Sequence, residues 1–295
     1  MHQPEPAMPT RASNALIIDA HVHIFPDAVA GKAIANMEKH SGLKMATDGT
    51  LSGLTRSMAA GGIAYVVTLP VSTRPDQVPG INRHALSLKA PGVIPFGSLH
   101  PQYSNFRDEI RRLADSGIRG VKMHPDHQSF WVDDPPLFPL YEALADSGLI
   151  LALHAGGNIN LPDPARGTPE RLADVIKRFP GLKIIAAHLG GWRHWDQVER
   201  HLAGLPFWMD LSFVLGHCPM EQVVRIIRRH GAEKILFGTD SPWVDQARAV
   251  ADWKQSPFTP REKQAFFWDN AVVLLDLPGP VKRFKHKAPD DIQSQ

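Results

Sequence analysis

Residues 17–25 read Ile17-Ile18-Asp19-Ala20-His21-Val22-His23-Ile24-Phe25, an Asp-x-His-x-His run inside an apolar segment. Alternate side chains of a β-strand point to one face. A strand here therefore places Asp19, His21 and His23 on one side and Ile18, Ala20 and Val22 on the other. Imidazoles two residues apart can converge on one metal ion with a carboxylate beneath them. Burying such groups unpaired costs roughly 2–7 kcal/mol each, and a cation would satisfy them. The ordinary alternative is a pair of core histidines bonded to backbone.

Working outward, seven more apolar runs follow: 63–70, 93–101, 118–125, 149–157, 182–191, 206–212 and 234–243. Each is rich in Val, Ile, Leu or Phe, as strands buried on both faces are. Charged segments of helical period lie between them, clearest at 105–117, 168–181, 220–231 and 260–277. Glycines 61, 92, 117, 148, 181 and 231 stand where a helix would end before the next strand. Thr168-Pro169 and Thr259-Pro260 fit a cap followed by proline at the first helical position. Strand, helix, strand repeated eight times predicts an α/β fold, a single-domain (β/α)8 TIM barrel over 14–278, with an open doubly wound sheet as the runner-up. Residues 1–13 read as a disordered tail, 279–295 as a polar C-terminal tail, and 26–50 as an inserted lid or substrate loop.

Active sites of such barrels sit at the C-terminal strand ends. His21, His23, His100, Lys122, His124, His154, His188, Asp210 and Asp240 all fall there. Net charge is only +2, with both signs interspersed, so neither a nucleic-acid groove nor a membrane surface is expected. The lone Cys218 allows no internal disulfide, and without a partnered base it is a poor nucleophile. The opening residues carry no apolar signal core, so a cytoplasmic enzyme acting on a small molecule is the expectation.

The segments IDAHVHIF, GVKMHP, LALHAGG, AAHLGG and LFGTDSPW, in that order over residues 15 to 277, resemble the amidohydrolase superfamily. The likeness is to its amidohydrolase-related (amidohydrolase 2) family of metal-dependent hydrolases and decarboxylases. It implies that His21, His23, His154 and Asp240 bind one divalent metal, zinc ahead of manganese, iron or cobalt. It implies that His188 either joins a second metal or acts on substrate, and that homo-oligomers occur. In some two-metal relatives a strand-four lysine is carboxylated and bridges the ions; GVKMHP is similar to that pattern. We take the single-ion arrangement, with Lys122 as a group that meets substrate charge.

Two reactions fit this ligand set. In hydrolysis of an ester, lactone or amide, Asp240 shuttles the proton of an activated water and His188 stabilises the developing oxyanion. In non-oxidative decarboxylation, Asp240 or His188 protonates carbon as carbon dioxide leaves. Arg74, Lys122, His124 and Trp243 are candidates for substrate binding, and Trp131, Trp192 and Trp195 for further pocket walls. A non-catalytic metal-binding barrel is the third reading, weakened because no ligand is missing.

Overall fold

The computed structural model describes residues 16–159 and 164–278. Both expected tails, 1–13 and 279–295, therefore lie outside the described residues, as do Asn14 and Ala15 of the expected barrel. Each apolar run contains a strand: β1 (Ile18–Val22), β2 (Tyr65–Thr68), β3 (Val93–Pro95), β4 (Gly97–Ser98), β5 (Gly120–Met123), β6 (Ile150–Leu153), β7 (Ile184–Ala186), β8 (Trp208–Asp210) and β9 (Ile235–Leu236). Neighbouring strands pair in parallel throughout. β3 and β4 form one stave interrupted at Phe96, whose N–H donates to the Thr68 carbonyl (3.1 Å).

At the other seam, backbone bonds tie the first stave to the last. Ala20 N–H donates to Phe237 O (2.8 Å), Asp240 N–H to His21 O (2.8 Å) and His23 N–H to Ser241 O (2.6 Å). This is the eight-stave α/β barrel that the sequence predicts.

The helices are α1 (Asp27–Ser41), α2 (Leu51–Gly61), α3 (Val78–Ser87), α4 (Phe106–Asp115), α5 (Phe138–Ser147), α6 (Pro169–Arg178), α7 (Trp195–Gln197), α8 (Met220–His230), α9 (Gln246–Gln255), α10 (Pro260–Gln264) and α11 (Asn270–Leu275). A π-helical turn, Ala265–Asp269, joins α10 to α11. The inserted segment 26–50 holds a fifteen-residue helix, α1, with only Ala30 buried. Four of the six helix-ending glycines adopt positive φ, but at α2 that role falls to Gly62 (φ 65°), one residue later than expected. Gly181 does not have positive φ; α6 stops at Phe179, immediately before Pro180, which cannot continue the backbone bonding.

Two clusters of apolar side chains make the core. One joins Ile18, Val67, Phe96, Ile150, Ala152, Ile185 and Leu236 to Trp268 and Val272 of the C-terminal helix. The other joins alternate strand residues, among them Val66, Val121, Leu151, Leu153 and Ile184, to the surrounding helices. Each Val, Leu, Ile or Phe among them, fully buried, contributes about 1.5–3 kcal/mol. Strand alternation carries the first face from Ile150 and Ala152 of β6 onward to His154. The same alternation sets Lys122 between Val121 and Met123 of the second cluster, hence on the first face. The apolar filling thus gives way to polar groups toward the strand C-termini.

Candidate metal centre

β1 departs from the simple alternation. Its register against β2 shifts between Asp19 and Val22. The expected common face of Asp19, His21 and His23 is broken there, and the Asp19 carboxylate does not lie beneath the two rings. It accepts instead from the N–H groups of His21 (3.1 Å) and Thr239 (3.0 Å), the Thr239 hydroxyl (2.5 Å) and Gln246 Nε2 (2.7 Å). Asp19 is thus a brace between the first stave, the last stave and α9.

His21 and His23 meet Asp240 at the seam. His21 Nε2 lies 3.3 Å from His23 Nε2. Asp240 Oδ1 lies 3.5 Å from the former and 3.0 Å from the latter. Asp240 holds φ 64°, an uncommon conformation for a residue with a side chain. Its N–H bond to His21 O, with that of His23 to Ser241 O, pins the backbone on both strands.

The hydrogen bonds fix the proton on each imidazole. His21 Nδ1 faces the Asp210 carboxylate (2.8 Å) and His23 Nδ1 faces the Leu69 carbonyl (2.7 Å). Both partners only accept, so both Nδ1 atoms carry hydrogen and both Nε2 atoms present lone pairs. Burial pushes His21 down to about 4, so a proton does not fill the gap at neutral pH. Burial alone would raise Asp240, but the adjacent His21 and His23 hold it well below the usual carboxylate range. Two lone pairs and a carboxylate oxygen thus converge. Nitrogens bound about 2.0–2.1 Å from a tetrahedral ion sit roughly 3.3–3.4 Å apart, which the observed separations straddle. This donor set fits a divalent metal.

A second pair stands beside the first. His154 Nε2 donates to Gly157 O (2.8 Å), and His188 Nδ1 donates to Ser212 O (3.0 Å). The remaining nitrogens, His154 Nδ1 and His188 Nε2, face each other at 3.1 Å. The His188 ring lies 5.3 Å from that of His21 and 4.9 Å from that of His154. His154 therefore adjoins His188, whereas the tight donor group at the seam comprises His21, His23 and Asp240.

His124, Asp126 and His154 form a second group of close donor atoms. Its chemistry differs. The His124 and His154 rings stack at 3.9 Å and 11°, and the one lone pair of His154 is turned toward His188.

Lys122 is buried, and burial pushes its ammonium down to about 8 against the pull of Asp210 and Asp240. Arg74 stands apart: its guanidinium is solvent-exposed and held in a two-pronged bond by Asp76. Trp243 N–H donates to Asp240 O (2.9 Å), and its ring lies 6.3 Å from that of Phe213. Phe213 also neighbours Trp192 (6.2 Å) and stacks on His217 (4.6 Å). Trp195 Nε1 braces the His188 carbonyl (3.1 Å), while the Trp131 ring is occupied by Arg171 and Arg166. His100 Nδ1 accepts from Gln102 N–H in its own turn. Cys218 is pushed up to about 12 by burial, which leaves an inert thiol.

The amidohydrolase family model matches residues 18–277. The chain belongs to that family. Among curated relatives, dihydroorotase of Vibrio vulnificus (strain CMCP6) is 22% identical over 183 residues, covering 58% of this chain and 48% of that one. The chain thus spans about half the length of that relative. An uncharacterized TIM-barrel protein from Bordetella bronchiseptica superposes with a TM-score of 0.70 at 21% identity, covering 89% of this chain and 99% of that one. The 5-carboxyvanillate decarboxylase of Sphingomonas paucimobilis gives 0.65 at 17%, covering 90% and 100%. These structural likenesses establish the fold. Family membership makes the chain an amidohydrolase-superfamily enzyme of metal-dependent type. No helix among the described residues is long and apolar enough to cross a membrane.

Proposed function

We propose that this amidohydrolase-family enzyme is a hydrolase that opens an ester, lactone or amide of a small carboxylated substrate. The convergence of His21 Nε2, His23 Nε2 and Asp240 Oδ1, each imidazole tied off at its other nitrogen, carries the proposal. Two imidazoles and a carboxylate suit zinc, and also manganese, iron or cobalt. His154 Nδ1 is the further donor. A bound divalent ion supplies an acidified water and a polarised carbonyl. Asp240, ionised at neutral pH, accepts the proton of the attacking water and returns it to the leaving group. Lys122, on the first face of β5, meets negative charge on the substrate or at the metal. His188 shows its Nε2 lone pair, so it stabilises an oxyanion only after taking up a proton there.

The facing lone pairs of His154 and His188 favour a second reading of the metal count, with two ions. The aromatic group Trp192, Phe213, His217 and Trp243 favours a second reading of the reaction. A flat apolar wall suits a planar carboxylic acid, and loss of its carboxylate as carbon dioxide would need only a proton delivered to carbon. Elemental analysis of the purified protein, followed by assays with lactones and aromatic carboxylic acids, tests these proposals together. Acid release without gas supports hydrolysis, evolved carbon dioxide replaces it with decarboxylation, and a protein that neither binds metal nor turns over refutes both.

A further inference from the structure

Asp210 and Ser212 sit two residues apart at the end of β8, both buried. Asp210 Oδ1 accepts from His188 N–H (3.1 Å), Ser212 N–H (3.0 Å) and the Ser212 hydroxyl (2.5 Å). Asp210 Oδ2 accepts from His21 Nδ1 (2.8 Å). The Ser212 hydroxyl oxygen lies 3.0 Å from Nδ1 of His21 and 3.0 Å from Nδ1 of His188. One carboxylate and one hydroxyl therefore hold the Nδ1 edges of two imidazoles brought in by different staves.

We infer that Asp210 is a positioning residue that sets the tautomer of His21, so that this ring turns its Nε2 lone pair toward a bound divalent cation, with the Ser212 hydroxyl as an auxiliary contact. This rests on the metal-dependent reading above. A neutral imidazole carries one N–H, and a carboxylate can only accept. Asp210 Oδ1 already accepts from three donors and Oδ2 faces the ring, so His21 carries its hydrogen on Nδ1 and leaves Nε2 open. Partners of this kind around a metal-binding histidine typically account for 10–100-fold in metal affinity.

Asp210→Asn separates tautomer control from mere packing. The amide keeps the shape, and its oxygen must stay where three donors converge. Its NH2 group then faces His21 Nδ1, and two donors cannot share that contact. His21 relieves the clash by moving its hydrogen to Nε2, which removes the lone pair a cation needs. Ser212→Ala has a smaller consequence, because the Asp210–His21 bond and the His188 bond to the Ser212 carbonyl both survive.

The experiment titrates Zn2+ into the metal-free full-length chain against a chelator, and records long-range 15N–1H spectra of the histidines. Asp210→Asn should weaken Zn2+ binding about 10–100-fold and switch His21 from the Nδ1–H to the Nε2–H pattern. Its metal-free melting temperature should move little, and Ser212→Ala should bind Zn2+ more tightly than Asp210→Asn does, because the Asp210–His21 bond survives. A merely structural Asp210 would lower the melting temperature with Zn2+ affinity intact. Unaltered affinity in Asp210→Asn overturns the inference, as does a parent His21 bearing hydrogen at Nε2, a readout that does not depend on the variant folding. A parent chain that ignores Zn2+ sinks the metal-dependent reading, while its His21 spectrum still decides the action of Asp210.

Discussion

Two groups of three buried or nearly buried donors stand at the same end of the barrel. His21, His23 and Asp240 gather at the seam, and His124, Asp126 and His154 gather across the mouth. By proximity alone they are equivalent. Their protons distinguish them. At the seam both ring hydrogens point away, to Asp210 and the Leu69 carbonyl, and the lone pairs converge with a carboxylate. Across the mouth the rings lie flat on one another, and His154 directs its free nitrogen at His188. A metal centre is therefore defined by where acceptor lone pairs point, which is decided by the groups behind the ligands.

The strongest attack on this contrast is Asp240→Asn. It removes a charged donor and the proposed proton carrier in one step while keeping volume. Turnover should fall about 10²–10⁴-fold, with bound metal reduced on elemental analysis. Unchanged turnover would remove Asp240 from the reaction and leave the seam group no better than its counterpart.

Asp19 tests the seam from behind. Asp19→Asn puts an NH2 group against the donors Thr239 Oγ1 or Gln246 Nε2, or against two backbone N–H groups. A buried donor left without an acceptor costs about 1–3 kcal/mol. Urea unfolding of the metal-free protein should register that loss, and a variant as stable as the parent would show that Asp19 does not hold the staves together.

The sequence was legible where one strand or helix sufficed to read it. Runs such as Ile150-Leu151-Ala152-Leu153 are apolar on both faces, and only a strand covered on both sides explains that. Strand ends were legible for the same reason, which located His154, His188 and Asp240. Contacts that join two chain segments were not legible. The shift in β1 that turns Asp19 toward α9 depends on pairing with β2. Asp210 was visible as a strand-end acid, but its hold on His21 spans 189 positions. α1 escaped because its face is barely buried, so no apolar stripe marks it. Arg74 looked like an anion anchor because nothing in its own segment reveals that Asp76 closes over it.

Acid sharpens the contrast in another way. Burial holds His21 near 4 and His124 and His154 well below their ordinary 6.5. The unfolded chain takes up these protons near 6.5 and the folded chain does not, so the unfolded state binds more protons between these values. The stability that these three rings contribute is therefore full above pH 6.5 and is lost as pH falls toward 4, while Asp19, which burial pushes up to about 7, acts in the opposite sense over the same range. For His21 alone the loss approaches about 3 kcal/mol across that window. Urea midpoints of Asp19→Asn, which removes that opposing group, should fall in the order pH 7.5, 6, 5 and 4.5; a flat series would mean that these rings take up protons in the native state as readily as in the unfolded chain.

The smallest effect discriminates most finely between the two groups. His124→Gln removes one of the three donors across the mouth, but none of the seam lone pairs depends on it. Bound metal should match that of the parent on elemental analysis, since no proposed ligand is lost. Its influence should appear instead in substrate binding, the role proposed for His124, whose ring stacks on His154 and packs against His127 with centroids 4.1 Å apart. A rise in KM with kcat preserved would mark loss of binding common to substrate and transition state. Loss of metal in this variant would erase the distinction between the groups, because it would mean that the His124 imidazole itself holds the ion.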